Sequence, residues 1–221
     1  MTTRVSSKIP FVNLHAHSVA GSIFDAIGYP QEHMDFAYDN GCTALALTDH
    51  GNMNGLAHQV LHAKKMQADG KDFKPIYGVE AYFIPSIEEW RTDYEEARAK
   101  VKNKKAESQS GTTIEDEDAS KKAVKDVLRR RAHLVLVAQN QTGLNNLFKL
   151  ISESYQPENF YRYPRMDYAL LEKYSEGIIA SSACLGGVYA QDFWHSWQTD
   201  EDGNRTFNRA ACLERMRTTT R

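Results

Sequence analysis

Nowhere in this chain do apolar residues run on for the 18 or so positions that a membrane-crossing helix needs, so no transmembrane helix is expected. The opening stretch, MTTRVSSKIPFVNL, has no apolar core of the signal-peptide kind, and no secretory leader is expected. Cysteine is scarce. Cys42, Cys184 and Cys212 are an odd number at unrelated spacings, which argues against a disulfide framework and for a reduced, cytoplasmic setting. An excess of positive charge is missing too. With a formal net charge of −2, no global basic field draws nucleic acid, and any such contact must be local. Neither a repeat of fixed period nor a linker divides the chain. Its 221 residues read as one domain, 1–221, and a hydrophobic share of 41% is enough to bury a core.

Turn signals and apolar periodicity give the order of elements. Residues 9–14 read as a strand behind Pro10. Pro30 opens a helix that stops near Gly41. Thr43 to Thr48 (TALALT) is a buried strand, Asn54 to Ala68 an amphipathic helix, and Pro75 to Ile84 (PIYGVEAYFI) a third strand. Strand and helix in alternation are the grammar of a parallel α/β sheet or barrel, where ligands gather at the carboxyl ends of the strands. From Ser86 to Arg131 the composition turns charged, with almost no aliphatic periodicity. This stretch reads as an exposed insertion: a charged helix, a flexible middle around SQSGTT, and a basic helix ending in Arg129-Arg130-Arg131. That basic run reads first as a solvated helix face favoured by the helix dipole, and second as a phosphate-contacting patch. Alternation resumes with the strand HLVLVA (133–138), a helix from Gly143 to Tyr155, the strand GIIA (177–180), and a helix within Leu185 to Trp197. Residues 200–221 form a polar tail with a short helix near Phe207 to Arg217.

Metal-ligand residue types fall at the ends of these strands. His15 and His17 are two apart on an extended segment, so both point to one face and can share a cation. Asp49 and His50 are adjacent and face opposite ways; His50 is the candidate ligand, and Asp49 could orient a ligand histidine from behind. Glu80 stands in an otherwise apolar strand, where a carboxylate is costly unless it is paired, metal-bound or turned to water on an edge. His133 at the start of HLVLVA and Cys184 after GIIASSA complete the set, while Asp25 in a loop is ambiguous by itself. Imidazole, carboxylate and thiolate together suit Zn²⁺, Mn²⁺ or Fe and not Ca²⁺. His33, His58, His62 and His195 read as helix residues without a role.

The phrases FVNLHAHS, SIFDA, ALALTDHGNMNG, KPIYGVEAY, HLVLVAQNQTGLNNLFKLIS, YRYPRMD and EGIIASSACLGG resemble, in the same order, the PHP (polymerase and histidinol phosphatase) domain of bacterial DNA polymerase III alpha subunits. They cover nearly all of the chain outside the 86–131 insertion and the tail. The resemblance implies a distorted (β/α)7 barrel with up to three metal ions. It assigns His15 and His17 to a first metal, Glu80 as a bridge to a second completed by His133 and Cys184, and Asp25 and His50 to a third. It also implies metal-dependent phosphoester hydrolysis of the 3′–5′ exonuclease proofreading type on a DNA primer end. The implied partners are the rest of a polymerase alpha polypeptide and a proofreading subunit.

Two departures matter. The loop from His17 to Asp25 is one residue longer than the family spacing, and no Asp-x-His pair follows Cys184, although the family supplies one ligand from it to each of the first and third metals. The barrel is therefore expected to lack its last strand, as in a fragment or split gene product, or to receive those ligands from another chain. Two other functions compete: a free-standing PHP phosphoesterase acting on a small phosphate ester, and a non-catalytic structural module of the polymerase.

Overall fold

A computed structural model describes residues 11–107 and 114–220, except for the side chains of 104–107, 114–121 and 220. The centre is a mixed sheet. Its longest strand, β2 (Lys74–Phe83), pairs in parallel with β1 (Ala44–Leu47) along its first half and with β5 (Tyr163–Met166) at its end. On the other edge of β2 lies β3 (Ala132–Ala138), followed by β6 (Ile178–Ser181). The strand expected at 9–14 reduces, within the described residues, to a single parallel bridge from Asn13 to Leu45.

The expected all-parallel grammar fails at β3. It runs antiparallel to β2, with Tyr82 opposite His133 and Glu80 opposite Val135, and β6 is antiparallel to β3. The cause is the insertion. Two consecutive helices, α3 (Ile87–Glu107) and α4 (Ile114–Arg129), leave and return to the same end of the sheet. An outgoing and a returning helix bring the chain back beside Phe83, so the next strand must run backwards. His133 thus lies second in its strand, yet sits at the same end of the sheet as the end of β2.

Packing follows the apolar faces. The helices α1 (Pro30–Asp39) and α2 (Leu56–Ala68) cover β1 through Met34, Ala37, Met66 and Leu47. Proline at the first position of α1 forgoes no helical bond, and the Glu32 carboxylate accepts from the Tyr29 N–H at 2.7 Å. Further along the same face of the sheet, the one turned away from Glu80, α5 (Gln141–Ser154) buries Leu147 and Leu150 against Val79, Ala81 and Leu136. Residues 160–173, around YRYPRMD and not read as structure from the sequence, supply β4 (Phe160–Tyr161), β5 and the short α6 (Tyr168–Lys173). After α7 (Val188–Trp194), the polar tail holds a hairpin of β7 (Trp197–Thr199) and β8 (Arg205–Phe207), then α8 (Arg209–Thr220), which buries Cys212.

The base of the insertion is anchored, and the flexible middle expected around SQSGTT lies largely outside the described residues. Ile87, Trp90, Tyr94 and Ala97 make a helical stripe, hidden among charges in the sequence, that packs on Val127 and Ile84. Arg165 of β5 is fully buried against this cluster. Its guanidinium donates to the carbonyls of Leu128 at 2.6 Å and Tyr161 at 2.9 Å, and it stacks 4.3 Å from the Trp90 ring. Burial, aided by repulsion from Arg131, pulls its pKa down to about 10. The group remains a cation at neutral pH, satisfied by carbonyl dipoles. Arg165→Met should leave those carbonyls without donors and cost about 3 kcal/mol. Urea denaturation measures this, and an unchanged midpoint would show that Arg165 does not tie the insertion to the sheet.

Candidate metal centre

Four histidines surround one carboxylate. Glu80, at the middle of β2, has no solvent exposure. Its Oε2 lies 3.0 Å from His15 Nε2, 3.1 Å from His17 Nε2 and 3.1 Å from His50 Nδ1, while Oε1 lies 2.8 Å from His133 Nδ1. Each ring arrives on a different element. The segment carrying His15 and His17 runs beside β1, fixed by Thr48 N–H to the Ala16 carbonyl at 2.8 Å. His50 follows β1 and bridges Glu80 in register. Gly51 closes this turn at φ +68°, where a Cβ would meet Pro164 at 2.7 Å, so a side chain is excluded.

Cys184 Sγ stands 3.4 Å from His133 Nδ1 and 3.6 Å from Glu80 Oε1, and it accepts the Gly186 N–H at 3.3 Å. Asp25 reaches His50 Nε2 at 2.8 Å. All seven sequence-derived candidates are thus brought to one place. Their grouping differs in two respects from that implied by resemblance: the second cluster gains His50 and does not include Cys184. His15, His17 and Glu80 form one potential cation cluster, but His50 joins Glu80 and His133 in the other, besides contacting Asp25. His33, His58 and His62 lie on α1 and α2, and His195 follows α7; His62 pairs with Asp35 at 3.0 Å.

Asp49 takes the opposite direction from His50, as adjacent extended residues must. It is buried and accepts from the Ser18 N–H at 2.6 Å, the Ser18 hydroxyl at 2.8 Å and the Ser22 hydroxyl at 3.0 Å. Ser22 Oγ in turn accepts the His50 N–H at 3.0 Å. The expected direct support of a histidine ring is therefore replaced by support of the backbone next to His17 and His50.

Electrostatics fit the grouping. Burial would raise the Glu80 pKa, but the close approach of His133, His15, His17 and His50 outweighs it and holds the carboxyl well below its usual range. Burial lowers His17, yet Glu80 outweighs that and raises it, whereas burial and the neighbouring histidines leave His50 lowered. The Cys184 thiol is pushed up by burial. One oxygen cannot accept well from three rings at once. His15 Nε2, His50 Nδ1 and Glu80 Oε2 are buried and, despite their proximity, make no hydrogen bond. Ring nitrogens and a carboxylate that converge without bonding are what a cation-binding site offers before a cation replaces the protons. The donor set is the borderline mixture that suits Zn²⁺, Mn²⁺ or Fe.

A family model described as "PHP domain" matches residues 13–210. The chain belongs to the PHP family. Membership identifies its mixed sheet as part of a distorted TIM-like barrel. This PHP domain is similar to proteins named DNA polymerase III subunit alpha. It is 37% identical over 178 residues to that of Aquifex aeolicus, covering 80% of this chain and 12% of that protein. To the Borreliella burgdorferi protein it is 33% identical over 184 residues, covering 83% and 13%. To that of Campylobacter jejuni it is 34% identical over 185 residues, covering 84% and 12%. The chain therefore spans only a small part of these relatives' length. Among solved structures, an amidohydrolase from Chromobacterium violaceum with bound sulfate and no metal matches at 17% identity and a TM-score of 0.34, over 64% of this chain and 34% of that one.

Two neighbours of the centre escaped the sequence reading. Tyr82 stacks on His50 at 5.8 Å and meets the His133 ring edgewise at 5.6 Å, and burial pushes its hydroxyl up to about 12. Its position two residues after Glu80, hence on the same face, was the available signal. The Ser18–Ser22–Asp49 network left none, because it depends on how the loop folds.

A chelator should destabilise the metal-loaded domain by about 3 kcal/mol if the ion is supplied at roughly 100 times its dissociation constant. Glu80→Gln should abolish the response. Thermal melts with and without chelator measure both, and a melting temperature indifferent to chelator would refute a bound structural cation.

Proposed function

We propose that this PHP domain is the metal-dependent phosphoesterase module of a replicative DNA polymerase alpha subunit, acting as a 3′–5′ exonuclease on a primer end. The observation that carries the reading is the buried Glu80 carboxylate ringed by His15, His17, His50 and His133. The identity of 32–37% to polymerase alpha subunits supports the polymerase context. The partners in this reading are primer DNA, the remaining alpha-subunit polypeptide and a proofreading subunit, in the cytoplasm.

His15, His17 and Glu80 would hold one ion, and Glu80, His133 and Cys184 a second, with His50 and Asp25 beside them at a third. Zn²⁺, Mn²⁺ or Fe held there would supply Lewis acidity and an activated water. This chain's residues do the rest. Glu80 fixes the spacing of the ligand groups because imidazoles crowd both its oxygens and its strand is paired on both edges. Asp49, through Ser18 and Ser22, holds the loop that carries Asp25 against the turn that carries His50. Tyr82 walls the site with an aromatic face and, with its pKa at about 12, stays neutral, so it adds no negative charge to repel a phosphate. The insertion over 86–131 is in this reading a surface appendage whose tip is not needed for hydrolysis.

The test is hydrolysis of a 3′-labelled primer and of an aryl phosphodiester by the purified chain with each metal. Only weak activity on the primer is expected, because no Asp-x-His pair follows Cys184 to complete the first and third sites, and His15→Ala should reduce it by at least the roughly 10–100-fold that even outer-shell changes cost. Turnover of a small aryl phosphate alone would favour a free-standing phosphoesterase. A folded chain that binds no metal would make the domain a structural module of the polymerase.

A further inference from the structure

A cationic and aromatic surface adjoins the metal centre. Arg131 lies two residues before His133 and so projects to the same side of the chain. Its guanidinium stacks 3.9 Å from the Tyr163 ring centroid and 5.5 Å from that of Tyr82. Tyr163 in turn meets Tyr82 at 4.9 Å, and Tyr82 stacks on His50. The Arg131 Nε is buried without a hydrogen-bond partner, and its Nη1 donates only to the Arg129 carbonyl at 3.2 Å. Asp25, an exposed acid near Tyr82, is engaged by His50.

The surface continues outward. Tyr161 and Tyr163 pair across a turn that holds only Arg162 between them. Tyr161 is exposed, and the Arg162 guanidinium lies 6.0 Å from its ring. Arg162 adopts φ +58°, a conformation that glycine or asparagine takes at lower cost. An arginine held under strain at an exposed tip is explained if its charge is used. Three rings and two arginines leading up to a metal centre have the chemistry of a single-strand site: cations for the phosphates and ring faces for the bases. A small phosphate ester would need neither the second arginine nor the outer ring.

We propose that Arg131 and the Tyr161–Arg162–Tyr163 turn form a platform that binds single-stranded DNA and leads its end to the metal centre. The substrate class rests on the phosphoesterase reading above, but binding can be measured without hydrolysis. Fluorescence anisotropy of a labelled oligodeoxythymidine with the 221-residue chain, in chelator, gives the affinity. Arg131→Met and Tyr161→Leu should each weaken it about tenfold, the size expected for losing one stacking or cationic contact. Arg131→Lys should recover part of the loss, and the parent's affinity should fall with salt. Arg162→Gly should also weaken binding while keeping or raising the melting temperature, because glycine relieves the strained φ. That variant separates binding from folding. Lys173→Met, which removes a cation paired with Glu153, should leave the affinity unchanged.

Absence of oligonucleotide binding by the parent overturns the platform. So does parent-like affinity in Arg131→Met and Arg162→Gly, or duplex bound as tightly as single strand. Arginine-dependent binding in a metal-loaded chain that hydrolyses nothing would overturn the phosphoesterase reading and leave the platform standing.

Discussion

A carboxylate with no access to water sits in the middle of the central strand, and much of the fold around it answers to that charge. Glu80 is flanked in β2 by Val79 and Ala81, both fully buried, so the strand cannot rotate to expose it. Leaving an ionised carboxylate unpaired in such a place is prohibitive. Imidazoles therefore have to arrive from several directions, and each arrival constrains a different part of the chain. His15 and His17 fix the segment beside β1, His50 fixes the turn at Gly51, and His133 fixes where β3 begins. Cys184 constrains the loop before Gly186. The centre thus works as a clasp for four separate stretches of sequence as well as a candidate site for cations.

The same constraint explains why the insertion is tolerated where it is. Helices α3 and α4 leave from the end of β2 and return beside it, which delivers His133 to the rim where Tyr82 and Glu80 point. Arg165 and Trp90 then lock the base of that excursion to β5. A connection that delivered the chain to the far end of the sheet would place the first residue of β3 away from the metal centre. The antiparallel strand is in this sense a consequence of the excursion, and His133 at its second position benefits from it.

Much of this was legible beforehand for identifiable reasons. The helix 30–39 announces itself through Pro30 and Gly41, and β1 and β2 through short apolar runs bounded by turn residues. His15 and His17 share a face because extended residues two apart always do. The helical stripe of Ile87, Trp90, Tyr94 and Ala97 was masked by its charged neighbours, since amphipathicity on a small buried base is diluted by a long solvated face. The strands in YRYPRMD were too short, and too rich in charge and proline, to register as periodic.

The sequence by itself determined which atoms are available as ligands, that they lie near strand ends, and, through ordered motifs, that the chain is a PHP domain. Local spacing is sufficient for that because side-chain direction repeats every two residues along an extended chain. Only the tertiary structure decided that β3 runs backwards, that His50 faces Glu80 and His133 as well as Asp25, and that Asp49 supports the centre through serines. It alone set Arg131 against Tyr82 and Tyr163. Contacts of this kind join residues 31 to more than 100 positions apart, and they depend on strand register and loop closure that no local pattern encodes.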